Sequence, residues 1–147
     1  MFKNDETKAT GKLTVEIKDK HGNVKDTREV KNLVVDTGLA FIASRMKDAT
    51  ATAMSHMGIG TGSTAAAASD TALGTEAARV ALTSTTVTSN AVAYVASFAA
   101  GTGTGAITEA GILNASSSGT LLCRTVFSVV NKASSDSMTI TWTVTIS

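Results

Sequence analysis

The glycine-rich run at residues 58–63 is the segment most similar to a known chemical motif. Its glycines at 58, 60 and 62 would let backbone N–H groups approach a bound anion. A phosphate-binding P-loop, however, needs Lys and then Ser or Thr after its last glycine, and a dinucleotide-binding loop needs a following helix within a β-α-β unit. The chain continues with an Ala- and Ser-rich segment instead. We therefore expect the run to bind no phosphate.

Other residues that could carry chemistry are few and scattered. His21 and His56 lack the spacing of metal ligands. Glu76 and Glu109 could form a carboxylate pair for glycoside cleavage, but nothing in the sequence brings them face to face, and we interpret Glu109 as a charge at a strand end. Cys123 is the single cysteine and has apolar neighbours, which favours packing over nucleophilic chemistry. We expect no catalytic residue, no metal site, no cofactor and no small-molecule substrate.

Length and composition indicate one soluble domain. A chain of 147 residues is long enough for a single core, and because aromatic residues make up only 4% of it, aliphatic side chains must build that core. The net charge of +1 provides no basic surface for nucleic acid. The sequence contains neither an apolar run long enough to cross a membrane nor a secretory signal. We expect synthesis in the cytoplasm and no nucleic-acid or membrane partner.

The charges are distributed unevenly along the chain. Residues 1–48 carry ten Lys/Arg and eight Asp/Glu, whereas residues 49–147 carry three and four, which together give the totals of 13 and 12. Monomeric proteins usually keep themselves soluble with mixed surface charges. A long segment rich in Thr, Ser, Ala and Gly therefore favours contact with other protein copies. The alternative is a neutral, Thr- and Ser-coated sheet without a partner.

The N-terminal third predicts an arm and a hairpin. Residues 1–10 have no periodicity and indicate a flexible arm. Alternating apolar residues then predict a β-hairpin at about 12–30, with its turn at residues 21–23, where Gly and Asn tolerate a positive φ.

One short α-helix is predicted at about 37–47. Asp36 is a candidate N-cap. The helix would bury an apolar stripe of residues spaced i, i+3, i+4 and i+7, formed by Leu39, Ile42, Ala43 and Met46.

The remainder of the chain predicts strands separated by Gly- and Ser-rich turns. The last strand is the clearest, because five apolar residues from Met138 to Ile146 alternate with four threonines. Together with the hairpin and the helix, these strands predict a mainly β fold, an antiparallel, jelly-roll-like β-sandwich that occupies residues 11–147 as a single domain. The predicted strands are 79–88, 91–99, 107–113, 120–130 and 137–146.

Two of these strands are apolar or small on both faces. Residues 92–99 and 121–130 have the composition of strands covered on two sides. The second cover would be another subunit or, alternatively, the arm, the helix or the loops of the same chain. The chain also lacks proline, which is one common guard against unwanted pairing at sheet edges.

Several segments resemble small structural proteins of tailed-bacteriophage particles. One begins His-Met-Gly-Ile-Gly-Thr-Gly at residue 56, and another reads Ile-Thr-Glu-Ala-Gly-Ile-Leu-Asn from residue 107. The similarity covers most of residues 30–147 and contains no catalytic signature. The segments that carry it are 30–46, 56–62, 70–79, 107–114, 119–127 and 137–146.

The resemblance implies a non-enzymatic virion protein. The expected role is a capsid decoration, or cement, protein on the capsid exterior, bound to the major capsid protein and to sister copies in a homotrimer or another small homo-oligomer. A tail, collar or fibre-associated protein is the alternative. A glycan-binding adhesin would need exposed aromatic platforms, and its only candidates, Trp142 and Tyr94, lie in strands where aromatics usually pack inward.

The predicted assembly contacts lie in the arm. A charged segment that orders on binding would suit a clip between neighbouring subunits. The residues concerned are Phe2, Lys3, Asp5, Glu6 and Lys8.

Overall fold

The computed structural model describes residues 8–47 and 51–147, which form nine strands and one helix. All paired strands are antiparallel. The mainly β class with a single helix in the described part of the chain is therefore confirmed. The elements are β1 (Ala9–Lys18), β2 (Val24–Val34), α1 (Asp36–Ser44), β3 (His56–Gly60), β4 (Glu76–Ala81), β5 (Ser84–Thr88), β6 (Ala91–Phe98), β7 (Gly105–Leu113), β8 (Leu121–Lys132) and β9 (Ser137–Ile146).

The strands form one continuous, curled sheet in the order β4-β3-β7-β8-β2-β1-β9-β6-β5. Strand β2 joins its two halves, because it pairs with β1 as far as Asn32 and with β8 at Leu33 and Val34. The inner faces of both halves contribute to one large hydrophobic core. The division into the two layers of a jelly-roll-like sandwich stays a prediction.

The core follows the two-residue period of the strands. In β1, Leu13, Val15 and Ile17 are at most 1% exposed, and in β9 the apolar row that contains Trp142 is buried as well. The threonines of β9 lie on the opposite face, where they are partly or fully exposed. The predicted alternation of the last strand is confirmed.

The hairpin of β1 and β2 extends beyond the predicted 12–30. Its turn is held by Asp19, whose carboxylate accepts the backbone N–H groups of His21 (2.9 Å) and Asn23 (3.0 Å). At the other end, β1 begins at Ala9, and Thr10 pairs with Thr145. This corrects the predicted boundary of the arm at residue 10, because backbone pairing with the last strand draws residues 9 and 10 into the sheet.

The predicted stripe on the helix is wrong at three of its four positions, because Leu39, Ala43 and Met46 are exposed, and the helix ends at Ser44 instead of about residue 47. Leu39 is 45% exposed and Met46 is 87% exposed. The helix instead approaches β8 through Gly38, where an added Cβ would collide with the carbonyl oxygen of Leu122. This close backbone contact turns a different face toward the sheet than the apolar spacing indicates.

The helix start also differs from the prediction. Asp36 is the first residue of α1, which has no side-chain cap. The Asp36 N–H donates to the carbonyl oxygen of Ala68 (2.8 Å). The loop at residues 61–75 thus provides the acceptor at this end of the helix.

The predicted strand at 79–88 is two strands. Strand β4 pairs with β3, whereas β5 pairs with β6 at the opposite end of the sheet. Residues 121–125 of β8 are buried on both faces, as their composition indicates, but residues 126–129 are partly or fully exposed, and in the segment at 92–99 Ser97 and Ala99 are exposed. The covers belong to the same chain, because α1 packs on β8 and the loop at 61–75 contacts Arg124.

Candidate functional site

Most of the predicted assembly residues lie outside the part of the chain that the structure describes. This applies to Phe2, Lys3, Asp5 and Glu6. Lys8 is exposed, and its backbone exchanges two hydrogen bonds with Ser147 (2.7 and 2.8 Å). Lys8 therefore lies at the end of the β1–β9 ladder.

A carboxylate is buried in the middle of β7. The Glu109 side chain is 0% exposed. It accepts hydrogen bonds from the backbone N–H groups of Gly62 (3.0 Å), Gly74 (2.8 Å) and Thr75 (2.6 Å). The interpretation of Glu109 as a charge at a strand end is wrong, because the residue lies beneath the loop at 61–75, which supplies its donors.

Arg124 on β8 provides the countercharge. Its Nε and Nη2 donate to Oε2 of Glu109 at 3.0 and 2.9 Å, and its Nη1 donates to Oδ2 of Asp70 at 2.8 Å. Gly111 lies opposite Arg124 in the ladder, and a Cβ there would meet Leu73 at 2.8 Å. The glycine thus leaves space for the loop above the strands. We call Asp70, Glu109 and Arg124 the buried charge cluster.

The buried charge cluster is ionised in the folded protein. Burial raises the pKa of Glu109, but three backbone N–H donors and the guanidinium of Arg124 outweigh it and hold the pKa below its ordinary value. The N–H of Ala67 and the side chain of Arg124 likewise lower the pKa of Asp70. Arg124 therefore forms ion pairs with two carboxylates, those of Asp70 and Glu109.

The glycine-rich run does bind an anion, but the anion is the side chain of Glu109. A Cβ at Gly60 or Gly62 would come within 2.5 or 2.6 Å of Oε1 of Glu109. The glycines therefore let the backbone approach the carboxylate, which is the role such residues have in phosphate loops. Because the chain supplies its own anion, the arrangement serves to anchor the loop.

A second group of buried charges lies between the β6–β7 and β8–β9 turns. Lys132 is 1% exposed, and its Nζ donates to the carbonyl oxygens of Ala99 (2.9 Å) and Asp136 (2.8 Å). The carboxylate of Asp136 accepts from Nζ of Lys25 (2.7 Å) and from the N–H of Ala133. The hydrogen bond from Lys25 lowers the pKa of Asp136, whereas burial lowers the pKa of Lys132.

The third group is a bidentate pair on β4. Arg79 donates from Nε and Nη2 to the carboxylate of Glu76 at 2.8 and 2.7 Å. Its Nη1 also donates to the carbonyl oxygens of Ala115 and Ser118. Every charged side chain of residues 51–147 is thus bonded within the chain: Asp70, Glu76, Arg79, Glu109, Arg124, Lys132 and Asp136.

The aromatic residues and the cysteine belong to the core. Trp142 is 0% exposed and Tyr94 is 8% exposed, and burial raises the pKa of Tyr94 to about 12. Neither ring offers a platform for a sugar. Burial also raises the pKa of Cys123, which is consistent with the predicted packing role.

The outer face of the sheet is a broad threonine surface. Thr14 pairs with Thr141, and Thr10 pairs with Thr145, across the β1–β9 ladder. The surface forms a trough of about 720 Å³, and the Lys12–Glu29 ion pair (2.9 Å) of β1 and β2 is part of its lining. The trough is lined by Thr10, Gly11, Lys12, Thr14, Glu29, Lys31, Thr141, Thr143 and Thr145.

Strand β5 ends the sheet and is open. All five of its residues are exposed, and none is charged. An apolar groove of about 350 Å³ lies beside it, between the sheet and α1. The groove is lined by Phe41, Ile42, Arg45, Ala53, Met54, Thr85, Val87, Val92, Tyr94, Leu122, Val144 and Ile146.

Residues 8–47 and 51–147 contain neither a candidate cluster of metal ligands nor a candidate membrane-spanning helix. These residues contain no group of three or more His, Cys, Asp or Glu side chains that could hold a metal ion. They also contain no helix long and apolar enough to cross a membrane. No protein-family model, curated protein or solved structure matches this chain significantly.

Proposed function

We propose that this protein is a non-enzymatic structural component of a tailed-phage particle, and specifically a capsid decoration protein that binds the shell from outside. One observation carries the proposal. In residues 51–147 all seven charged side chains, three basic and four acidic, are bonded within the chain. The outer surface of this region is therefore built mainly from Thr, Ser, Ala and Gly.

Such a surface suits contact with protein. Charged side chains lose hydration when an interface forms, and the interiors of interfaces are accordingly depleted of Lys, Glu and Asp. The open β5 edge would dock without desolvating a charge, whereas the threonine trough also carries Lys12, Glu29 and Lys31. A monomer without partners would instead be expected to carry mixed charges over its whole surface.

The segments that resemble phage structural proteins supply the buried charge cluster. Asp70 belongs to the segment at 70–79, Glu109 to the segment at 107–114 and Arg124 to the segment at 119–127. The similarity thus falls on residues that hold the fold together. The resemblance thus brings no catalytic residue to this chain.

The proposed mechanism is multivalent binding. Each copy would contact more than one capsid subunit as well as sister copies, so that individually weak contacts add up across subunit boundaries. The N-terminal residues Phe2, Lys3, Asp5, Glu6 and Lys8 are the proposed assembly contacts with the major capsid protein. Lys8 adjoins the exposed end of the β1–β9 ladder, next to the threonine trough.

Binding to expanded capsids that lack the protein tests this proposal. We expect the full chain to co-sediment with them and to raise their melting temperature. A variant without residues 1–7 should bind more weakly while retaining the circular dichroism of the full chain. If the full chain neither binds the capsids nor changes their stability, the decoration role is wrong.

Electron microscopy distinguishes the alternative placement. Copies repeated over the shell would support decoration, whereas copies confined to one vertex would replace it with a tail, collar or fibre-associated role.

A further inference from the structure

We propose that two copies of this chain associate edge to edge through β5, as antiparallel neighbours related by a two-fold axis at Thr86. The inference rests on the proposed function and names one of its contacts. Strand β5 runs from Ser84 to Thr88, so an axis at its central residue would bring the whole strand into register with its copy. The curled sheet would then continue from one copy into the other.

The two ends of the sheet differ in how they are protected. Natural edge strands are usually guarded by charges, proline, bulges or a covering loop. Strand β4 carries the Glu76–Arg79 ion pair, and Arg79 also bonds the carbonyl oxygens of the β7–β8 turn. Strand β5 has five exposed, uncharged residues and no proline. Of the two sheet edges in the described part of the chain, β5 is therefore the one whose backbone is not guarded by charged side chains.

The composition of β5 favours a second copy as the partner. In the proposed register, Thr86 faces Thr86 of the other copy, Thr85 faces Val87 and Ser84 faces Thr88. Thr–Thr and Thr–Val cross-strand pairs are favourable, and no like charges oppose each other. The neighbouring strand β6 is also uncharged. The surface is thus complementary to itself, which is the requirement for a two-fold interface.

The apolar groove adds a second reason. Thr85 and Val87 line it, together with Val92 and Tyr94 of β6. Val87 is 71% exposed, and most of the residues that line the groove with it are apolar. Pairing about an axis normal to the sheet places Thr85 of one copy beside Val87 of the other on the same face. Each Val87 would then lose part of its contact with water.

The association should be weak in free solution. A five-residue strand buries much less than the roughly 1,200 Å² of a standard stable interface. Multivalent attachment to a shell would raise the local concentration of neighbouring copies and so favour the pairing there. We expect a monomer–dimer equilibrium that closes at the dimer, because each chain has one such edge.

Sedimentation equilibrium and thiol trapping test the proposal together. The full chain should form dimers as its concentration rises from about 10 µM to about 1 mM, the range of weak affinities. Thr86→Lys should lower the association constant at least tenfold, because it opposes two like charges on the axis. Thr27→Lys is the matched control, because Thr27 is an exposed threonine on β2, far from β5 and outside the trough lining; it should leave dimerisation unchanged.

Cysteine trapping reports the register itself. Residues directly opposite in an antiparallel pair have Cβ atoms about 4.5–5.5 Å apart, which a small adjustment brings within disulfide range. Cys123 is buried, so the introduced thiol is the reactive one. Mild oxidation should link Thr86→Cys into dimers much faster than Thr27→Cys. Because it keeps a small neutral residue, this variant also tests the pairing should Thr86→Lys fail to fold.

A chain that stays monomeric at every concentration, or a Thr86→Cys variant that cross-links no faster than its control, would overturn the proposal. Oligomers larger than a dimer would overturn it as well. Capsid binding by the full chain is a separate measurement. If capsid binding persists without β5 pairing, this inference fails while the proposed function stands.

Discussion

Replacing Glu109 by Gln should weaken the hydrogen bonds that hold the loop at 61–75 and strongly destabilise the protein. The carboxylate accepts five hydrogen bonds, three from backbone N–H groups and two from Arg124. Two of them end on Oε1 and three on Oε2. Gln must place its NH₂ group at one of these positions, where it meets two or three donors and can accept nothing.

The magnitude follows from that count. A hydrogen bond to a charged group contributes about 1.5–3 kcal/mol, so the loss of two gives about 3–6 kcal/mol. Removing one partner of a buried ion pair costs about 3–5 kcal/mol in other proteins. We therefore expect Glu109→Gln to lower the free energy of unfolding by about 3–5 kcal/mol. Natural domains have only about 5–15 kcal/mol in total, so much of the stability would be lost.

Urea unfolding followed by the fluorescence of Trp142 measures this change, because that ring is buried in the folded state. Glu76→Gln is the matched control, since it changes the same functional group in an ion pair that is partly exposed. It should cost less than about 1 kcal/mol.

Hydrogen exchange provides a second measurement. The N–H groups of Gly62, Gly74 and Thr75 should exchange faster in Glu109→Gln than in the wild type. The buried charge cluster does not anchor the loop if the free energy of unfolding of Glu109→Gln lies within about 1 kcal/mol of the wild-type value. The same conclusion follows if Glu76→Gln lowers the free energy of unfolding as much as Glu109→Gln does.

Three further outcomes are expected. Because the pKa of Glu109 is lowered in the folded state, the unfolded chain binds more protons in acid; the free energy of unfolding should fall as the pH drops below about 4, and less steeply in Glu109→Gln, as pH-dependent urea titrations would reveal. Gly38→Ala should destabilise the protein by about 1–3 kcal/mol in thermal unfolding, because the added Cβ collides with the Leu122 carbonyl oxygen. Leu39→Ala, on the exposed side of α1, should destabilise it less, and equal effects would contradict the close contact. Cys123 should react with a thiol reagent only as fast as the protein unfolds, and rapid labelling of the native protein would contradict its burial and raised pKa.

The strand pattern of this chain is largely readable from its sequence because it depends on local alternation. The observed β9 matches the predicted strand at 137–146, and β6 and β7 agree with their predictions to within two residues. Alternation does not show which strand pairs with which, and the prediction is wrong where that information is needed. The segment at 79–88 was expected to be one strand, but β4 and β5 lie at opposite ends of the sheet.

The buried charge cluster could not be derived in this way. The donors and the partner of Glu109 come from positions up to 47 residues away in sequence, and they meet only when the β7–β8 register and the loop at 61–75 are known. The sequence offers two separate signals: Glu109 is a charged residue within an apolar strand, and the run at 58–63 is rich in glycine but lacks the rest of a phosphate motif. The pairing of β3 with β7 brings them together. Similarly, the predicted apolar stripe on α1 is wrong because the helix contacts β8 at Gly38, which has no side chain and therefore leaves no mark in the apolar pattern.

A cryo-EM map of the parent phage particle tests the central claim most directly. We predict density for this fold repeated over the outer surface of the capsid, with its threonine trough or its β5 edge in protein contact. A particle that contains no copy of the chain would contradict the claim that the protein works by assembling into the virion.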